Sequence, residues 1–166
     1  MFSFHGGISP DGANYLRLAM SESMFVTDVF ANNNKEFFAV WPAGYPFLIK
    51  LLATIVPLDV LIISKLVNML LIGLTLLLIG KIFPQHGYLY GMLFLSDSFV
   101  KISYMSWSEI PFSTMMIILA ISLYKFYTST HTKWLGAIFA AGIGVFLSRY
   151  IGLFVLAPIG ITGLML

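Results

Sequence analysis

The chain has 166 residues, of which 59% are hydrophobic and only 10% are charged, and its mean hydropathy is +0.93. A soluble domain carries about 25% charged residues, so this composition excludes a water-covered globule and predicts lipid as the main solvent. The net charge of +2 comes from scattered cations and gives no basis for a nucleic-acid partner. The lack of cysteine excludes disulfides, thiolate metal sites and cysteine nucleophiles.

Residues 1–57 are predicted to form an extracytoplasmic first loop. The opening MFSFHGGISPDG lacks the basic and apolar regions of a signal peptide. Apolar and polar residues then alternate at helical spacing from Tyr15 to Glu22, which predicts an amphipathic helix on the membrane surface. The polar stretch from Asn32 to Lys35 is predicted to be a loop. Because the chain starts in an aqueous segment and stops within the apolar run GITGLML, we expect a fragment of one larger domain.

The apolar stretch from Trp41 to Val56 is predicted to be a surface or re-entrant helix rather than a span. It opens with Pro42 and Pro46 and contains Lys50. These residues fit a membrane interface better than a lipid core, and the stretch is shorter than the roughly 20 residues that a span needs.

Residues 58–166 are predicted to form the transmembrane part, with about four spans of roughly 20 apolar residues each. Asp97 and Lys101 interrupt one of the apolar runs. The runs are Leu58–Gly80, Gly87–Tyr104, Ile110–Tyr127, Trp134–Leu147 and Ile151–Leu166. The expected fold class is therefore all-α, a polytopic membrane helix bundle with a juxtamembrane extracytoplasmic first loop.

The distribution of lysines predicts which loops face the cytoplasm, because cytoplasmic loops carry an excess of Lys and Arg. If Trp41–Val56 stays on the outer side, the loop with Lys81 and the loop from Lys125 to Lys133 are both cytoplasmic. The same topology gathers on the outer face three charged residues that are far apart in sequence, namely Asp11, Glu109 and Arg149.

Asp11 has two compatible interpretations. It lies between Pro10 and Gly12, so it could be the N-cap of a helix that starts near Ala13. A carboxylate held at the membrane–water boundary could also act as a general base, a role that contributes roughly 10²–10⁴ in rate.

Glu109 and Arg149 also have both a structural and a functional interpretation. Glu109 begins a span in SWSEIPF, where the helix dipole favours an acid. Arg149 lies between two apolar runs; it could mark an interfacial turn, but a cation so close to hydrocarbon is costly unless it is paired or used. A phosphate is the natural anion for it to bind.

Other polar and small residues are predicted to be structural. Asp97 and Lys101 have the spacing of a helical ion pair, and Lys65, near Asn68, is expected to extend toward the interface. The glycine-rich stretch from Gly136 to Gly144 predicts a helix-packing face. The histidines are far apart, so no metal site follows from them; they are His5, His86 and His131.

Three stretches in this order resemble polytopic glycosyltransferases with the type-C fold, in the branch related to dolichyl-phosphate-mannose protein mannosyltransferases and lipid A aminoarabinose transferases. PDGANYLRLA is similar to the first-loop motif of that family, an aspartate followed by a short helix. WPAGYPFLIKLLA is similar to its proline-rich juxtamembrane helix, with Ala43 in place of a second proline. SEIPF and FLSRYIGLFVL resemble its later acid-proline helix start and Arg-Tyr-Ile-Gly turn.

The resemblance implies a site and a reaction. Asp11 corresponds to the catalytic base, and Arg149, Glu109, Tyr15 and Tyr45 are expected to bind substrate. Many members have a second acid directly after the aspartate, where this chain has Gly12, which weakens a paired-carboxylate or metal-assisted site. No cofactor is expected, although a divalent metal stays open.

The expected partners are a polyprenyl-phosphate-linked sugar, the lipid bilayer, and an acceptor that is a glycan, a lipid or a protein. The expected location is a prokaryotic plasma membrane, with the active site facing outside the cytoplasm. Two alternatives stay open at this point: a non-catalytic membrane scaffold with the same fold, and a secondary transporter with broken helices. Polar residues that gather at one face rather than at the midplane count against the transporter.

Overall fold

The computed structural model describes residues 8–21, 26–28, 35–37, 41–129 and 131–164. Within these ranges the chain is mainly helical, as expected, with one pair of short strands. The elements are α1 Pro10–Met20, β1 Val26–Asp28, β2 Lys35–Phe37, α2 Gly44–Ala53, α3 Val60–Ile82, α4 Gly87–Met92, a 3-10 helix Leu93–Leu95, α5 Asp97–Tyr104, α6 Glu109–Ser129, α7 Lys133–Ser148 and α8 Gly152–Leu164.

The strands β1 and β2 pair antiparallel, with Val26 opposite Phe37 and Asp28 opposite Lys35. The sequence did not predict this hairpin, and Lys35, expected in a loop, is the first residue of β2. The predictions made for His5, Glu22 and residues 32–34 lie outside the described residues.

About four spans were predicted, but two helices of the described chain are long and apolar enough to cross a membrane, α3 with 23 residues and α6 with 21. They agree with the predicted runs Leu58–Gly80 and Ile110–Tyr127 to within two residues at each end. Only 33% of the apolar window of α3 and 28% of that of α6 is buried inside the protein. A core helix of a soluble protein is mostly buried, so these exposed apolar faces support contact with lipid.

The predicted run Gly87–Tyr104 is not one spanning helix but three short ones, α4, the 3-10 helix and α5, that run back along α3. Gly87 approaches Gly80, Gly91 approaches Leu76, and Asn68 bonds to the backbone near the end of α5. The break follows from sequence, because Ser96 caps α5 by accepting a hydrogen bond from the Phe99 amide at 3.3 Å. The predicted ion pair within α5 is confirmed, since Lys101 Nζ lies 2.7 Å from Asp97 Oδ2.

Helix α2 is too short to cross a bilayer. Its 10 residues extend about 15 Å, half of the roughly 30 Å hydrocarbon core. Helix α2 packs instead against α1 and α3, in a buried cluster that closes one end of the bundle. The cluster consists of Tyr15, Leu16, Ala19, Tyr45, Ile49, Ile63 and Val67.

The start of α2 also touches the end of α7 at Gly44. A Cβ atom at this position would lie 2.6 Å from the carbonyl oxygen of Leu147, closer than real Cβ atoms approach backbone. Glycine is therefore required at Gly44 by close helix packing rather than by its backbone angles.

Helices α6 and α7 form an antiparallel pair, and α8 folds back on α7. Leu119, Ala141 and Val145 form the buried cluster between them. The predicted glycine packing face is confirmed in part: a Cβ at Gly144 would lie 2.7 Å from the Met115 sulfur, whereas Gly136 faces open space.

Candidate functional site

The first turn of α1 is fixed against the segment that leads into α6. Ser9 caps α1 by accepting a hydrogen bond from the Gly12 amide at 3.0 Å, and Trp107 Nε1 also donates to its hydroxyl. Pro10 occupies the first turn, where a proline is favoured because its missing N–H needs no partner. The interpretation of Asp11 as the N-cap of a helix starting near Ala13 is therefore wrong.

Asp11 lies in the first turn of α1 with its side chain exposed. Because Ser9 already supplies the cap, the Asp11 carboxylate is not needed to satisfy the first backbone amides of the helix. The positive end of the helix dipole favours a negative charge at this position. The Asp11 carboxylate is therefore exposed to solvent on a turn that is held in place by the hydrogen bonds of Ser9.

Gly12 lies on the opposite, buried side of the same turn. A Cβ at Gly12 would lie 3.3 Å from the Ser106 carbonyl oxygen and 3.4 Å from Ser9 Oγ. The close approach of α1 to Ser106 therefore leaves little room for a side chain at Gly12.

Glu109 and Arg149 form an ion pair. Glu109 is the first residue of α6 and Arg149 directly follows α7, so the antiparallel packing of the two helices brings them together. Arg149 Nη1 donates to Glu109 Oε1 at 2.7 Å, and the side chains are 42% and 30% exposed, respectively. A pair as open to solvent as this stabilises a fold by about 0–1 kcal/mol.

Tyr15 links α1 to Ser108, the residue directly before Glu109. Its ring is buried, and its hydroxyl lies 2.9 Å from the Ser108 hydroxyl. Burial is the main cause that raises the pKa of Tyr15; the Ser108 hydrogen bond and Arg149 oppose this, and Glu109 and Asp11 add to it. The Tyr15–Ser108 and Ser9–Trp107 hydrogen bonds hold the start of α1, which carries Asp11, beside the start of α6. Glu109 and its partner Arg149 lie at that same end of α6.

Tyr45 lies beneath Tyr15 in the core. The two rings meet edge to face with centroids 5.5 Å apart. Tyr45 is 0% exposed and its hydroxyl donates to the Ser64 carbonyl oxygen at 3.2 Å, and burial raises its pKa well above the usual range. Tyr45 therefore packs against the buried side of the Tyr15 ring. Direct substrate binding by either tyrosine stays a prediction.

The sequence did not predict the polar contacts that hold the segment before α6. Asn68 Nδ2 donates to the carbonyl oxygens of Ser103 and Met105, each at 3.0 Å. Lys65 Nζ donates to Ser106 Oγ at 2.9 Å, and Ser64 Oγ lies 2.8 Å from the same oxygen. The polar side chains of Ser64, Lys65 and Asn68 in the otherwise apolar α3 could have indicated these contacts. Lys65 therefore holds backbone and hydroxyl groups instead of only extending toward the interface.

Among the described residues, no three or more His, Cys, Asp or Glu side chains come together in a group that could bind a metal ion. Compared with protein-family models, curated proteins and solved structures, the chain matches none.

Proposed function

We propose that this chain belongs to an integral membrane glycosyltransferase that moves a sugar from a polyprenyl-phosphate donor to an extracytoplasmic acceptor hydroxyl. The observation that supports this proposal is the packing of the first turn of α1, which carries Asp11, against the segment that leads into the Glu109–Arg149 ion pair. Helices α3 and α6, long enough to cross a membrane, extend from this end of the protein. In this proposal the protein is a polytopic helix bundle in a prokaryotic plasma membrane, and the charged end faces outward.

Arg149 would bind the phosphate of the lipid donor. A guanidinium has five N–H donors, and one nitrogen of Arg149 is engaged by Glu109. The remaining donors suit a phosphate, which arginine binds with charge-assisted hydrogen bonds. Glu109 would hold the guanidinium plane in one orientation while the lipid tail stays in the bilayer.

Asp11 would act as the general base. It would accept the proton of the acceptor hydroxyl as that oxygen attacks the anomeric carbon, and the C–O bond to the lipid phosphate would break. One base on the acceptor side with no covalent sugar–enzyme step gives inversion, by analogy with inverting glycosidases. Phosphate is a good leaving group, so a nearby cation such as Arg149 is sufficient to stabilise the departing charge.

The contacts of the first turn of α1 support this role for Asp11. A general base must be held within reach of the proton that it removes. Ser9 is bonded to both Gly12 and Trp107, which fixes the turn that carries Asp11. Since the Asp11 carboxylate is exposed, an acceptor hydroxyl can approach it from the aqueous side.

Replacement of Asp11 by asparagine tests the reaction. The protein at its full encoded length is expressed in membranes that keep their native acceptors, and radiolabelled polyprenyl-phosphate mannose or aminoarabinose is added. Loss of the base predicts a decrease in sugar transfer of roughly 10²–10⁴, while Asp97→Asn, which changes an exposed carboxylate of α5, leaves transfer unchanged. Transfer at the parental rate by Asp11→Asn would contradict the mechanism, and a parent protein inactive with both donors would count against these donors.

A further inference from the structure

A large cavity lies at the other end of the spanning helices. Its volume is about 780 Å³, and its walls come from the C-terminal parts of α3 and α6 and from residues of α4, the 3-10 helix and α5. Lys125 marks this end of α6. It lies about 24 Å along the helix from Glu109 at 1.5 Å per residue, so the cavity is separate from the candidate site.

The walls of the cavity are apolar and aromatic. Phe83 and Tyr90 lie with ring centroids 5.0 Å apart, and Phe94 and Phe99 meet edge to face at 4.6 Å. Both ring pairs line the cavity, together with aliphatic side chains such as Ile121. The volume falls within the roughly 300–1,000 Å³ of ligand pockets that bind mainly through apolar walls.

Lys81 and Lys125 line the same cavity, one in the last turn of α3 and the other near the end of α6. None of the described residues that line it carries a carboxylate. Lysine stems lie along apolar walls while their ammonium groups stay at the boundary with water. The cavity therefore combines an apolar interior with two positive charges at one end, and this combination matches an amphipathic anion.

We propose that an anionic phospholipid occupies this cavity, with an acyl chain between α3 and α6 and its phosphate between Lys81 and Lys125. Basic pockets between transmembrane helices bind anionic lipid head groups in this way. The proposal rests on the membrane placement proposed above, and it needs neither the transferase reaction nor a particular orientation of the chain in the bilayer.

Charge complementarity favours a lipid over a protein segment as the occupant. An apolar helix, of another protein or of a second copy, would cover the aromatic walls but would supply no counter-charge to the two lysines. In a phosphate ester with a hydrocarbon chain, the chain packs against the apolar walls and the phosphate pairs with the two lysines.

Native mass spectrometry of the full-length protein in detergent tests the proposal with three probes, phosphatidylglycerol, phosphatidylcholine and inorganic phosphate. We expect phosphatidylglycerol to be retained in preference to phosphatidylcholine, and inorganic phosphate not to compete with it. The double variant Lys81→Gln/Lys125→Gln should lose about 30-fold of this preference, as expected for two lysines at a lipid surface. Lys133→Gln, an exposed lysine outside the cavity, is the matched control and should keep it.

A second variant tests the interior. Ala120 lines the cavity, so Ala120→Phe should fill it and decrease retention of phosphatidylglycerol, and Lys81→Arg/Lys125→Arg should preserve the lipid preference. Unchanged preference in the double glutamine variant, unchanged retention in Ala120→Phe, or displacement by inorganic phosphate would overturn the proposal. A lipid-free dimer would also overturn it. Because the measurement is lipid retention, its failure is distinguishable from a failure of sugar transfer.

Discussion

Gly12 provides a sharp test of how closely α1 packs on the segment before α6. Gly12→Asp introduces a second carboxylate directly after Asp11, whereas Gly12→Ala adds only the Cβ atom. The two substitutions share a position, so the difference between them isolates the effect of the carboxylate near Ser106.

The contact distances give the expected magnitudes. Alanine places a Cβ 3.3 Å from the Ser106 carbonyl oxygen, a small strain that is offset by the roughly 0.5–1 kcal/mol advantage of Ala over Gly in a helix. Aspartate adds overpacking of about 1–3 kcal/mol and a buried unpaired polar group of about 1–3 kcal/mol. The helix dipole returns at most about 1 kcal/mol. We therefore expect Gly12→Ala to be nearly neutral and Gly12→Asp to lower the free energy of unfolding by about 1–6 kcal/mol.

Equilibrium unfolding in mixed micelles, with increasing fractions of a denaturing detergent, measures these differences. Pro10→Asp is the control, because it puts a carboxylate into the same turn at an exposed position and should cost much less than Gly12→Asp. If Gly12→Asp proves as stable as Gly12→Ala, the close approach of α1 to Ser106 is wrong.

Three further predictions test other parts of the structure. Arg149→Leu should weaken binding of polyprenyl-phosphate sugar at least tenfold in a filter-binding assay while changing the free energy of unfolding by less than about 1 kcal/mol; unchanged affinity would remove Arg149 from the site. Gly44→Ala should lower stability by about 1–3 kcal/mol in the same micelles, whereas Gly136→Ala, which faces open space, should not, and equal effects would refute the α2–α7 contact. Single cysteines at Arg17 and His131, both exposed in a chain without native cysteine, should react with impermeant probes from opposite sides of the membrane; reaction from one side would disprove the proposed topology.

The sequence predicted the long helices well because their signal is local. The apolar runs from Leu58 and from Ile110 give α3 and α6 almost without shift, since a membrane-length apolar run is decided by composition within one window. The short α2 was also expected, because its prolines and Lys50 interrupt the apolar run.

Two local predictions failed, the N-cap of α1 and the segment that forms the β1–β2 hairpin. Ser9 and Asp11 flank Pro10, and both residue types are good N-caps. A proline in the first helical turn should have favoured Ser9 as the cap, since proline is preferred at that position. The hairpin of β1 and β2 was missed because its strands have only 3 residues each, too few for a visible alternation.

The candidate site could be predicted only in outline. Charge distribution suggested that Glu109 and Arg149 share one end of the bundle, but their 2.7 Å ion pair depends on the packing of α6 against α7. The complete burial of Tyr45 depends on α1 and α3 closing over α2. Such contacts are set by tertiary packing between distant segments, and a local sequence pattern carries no information about that packing.

The bonds between α1 and the segment before α6 have a consequence for synthesis of the protein. Tyr15 and Ser108 are 93 residues apart, and Ser9 and Trp107 are 98 apart. At about 5–20 residues per second, a ribosome makes the partners of α1 roughly 5–20 s after α1 itself. During that interval the hydroxyls of Tyr15 and Ser9 lack these partners, so α1 is held by its packing with α2 and α3 until the segment before α6 has been made.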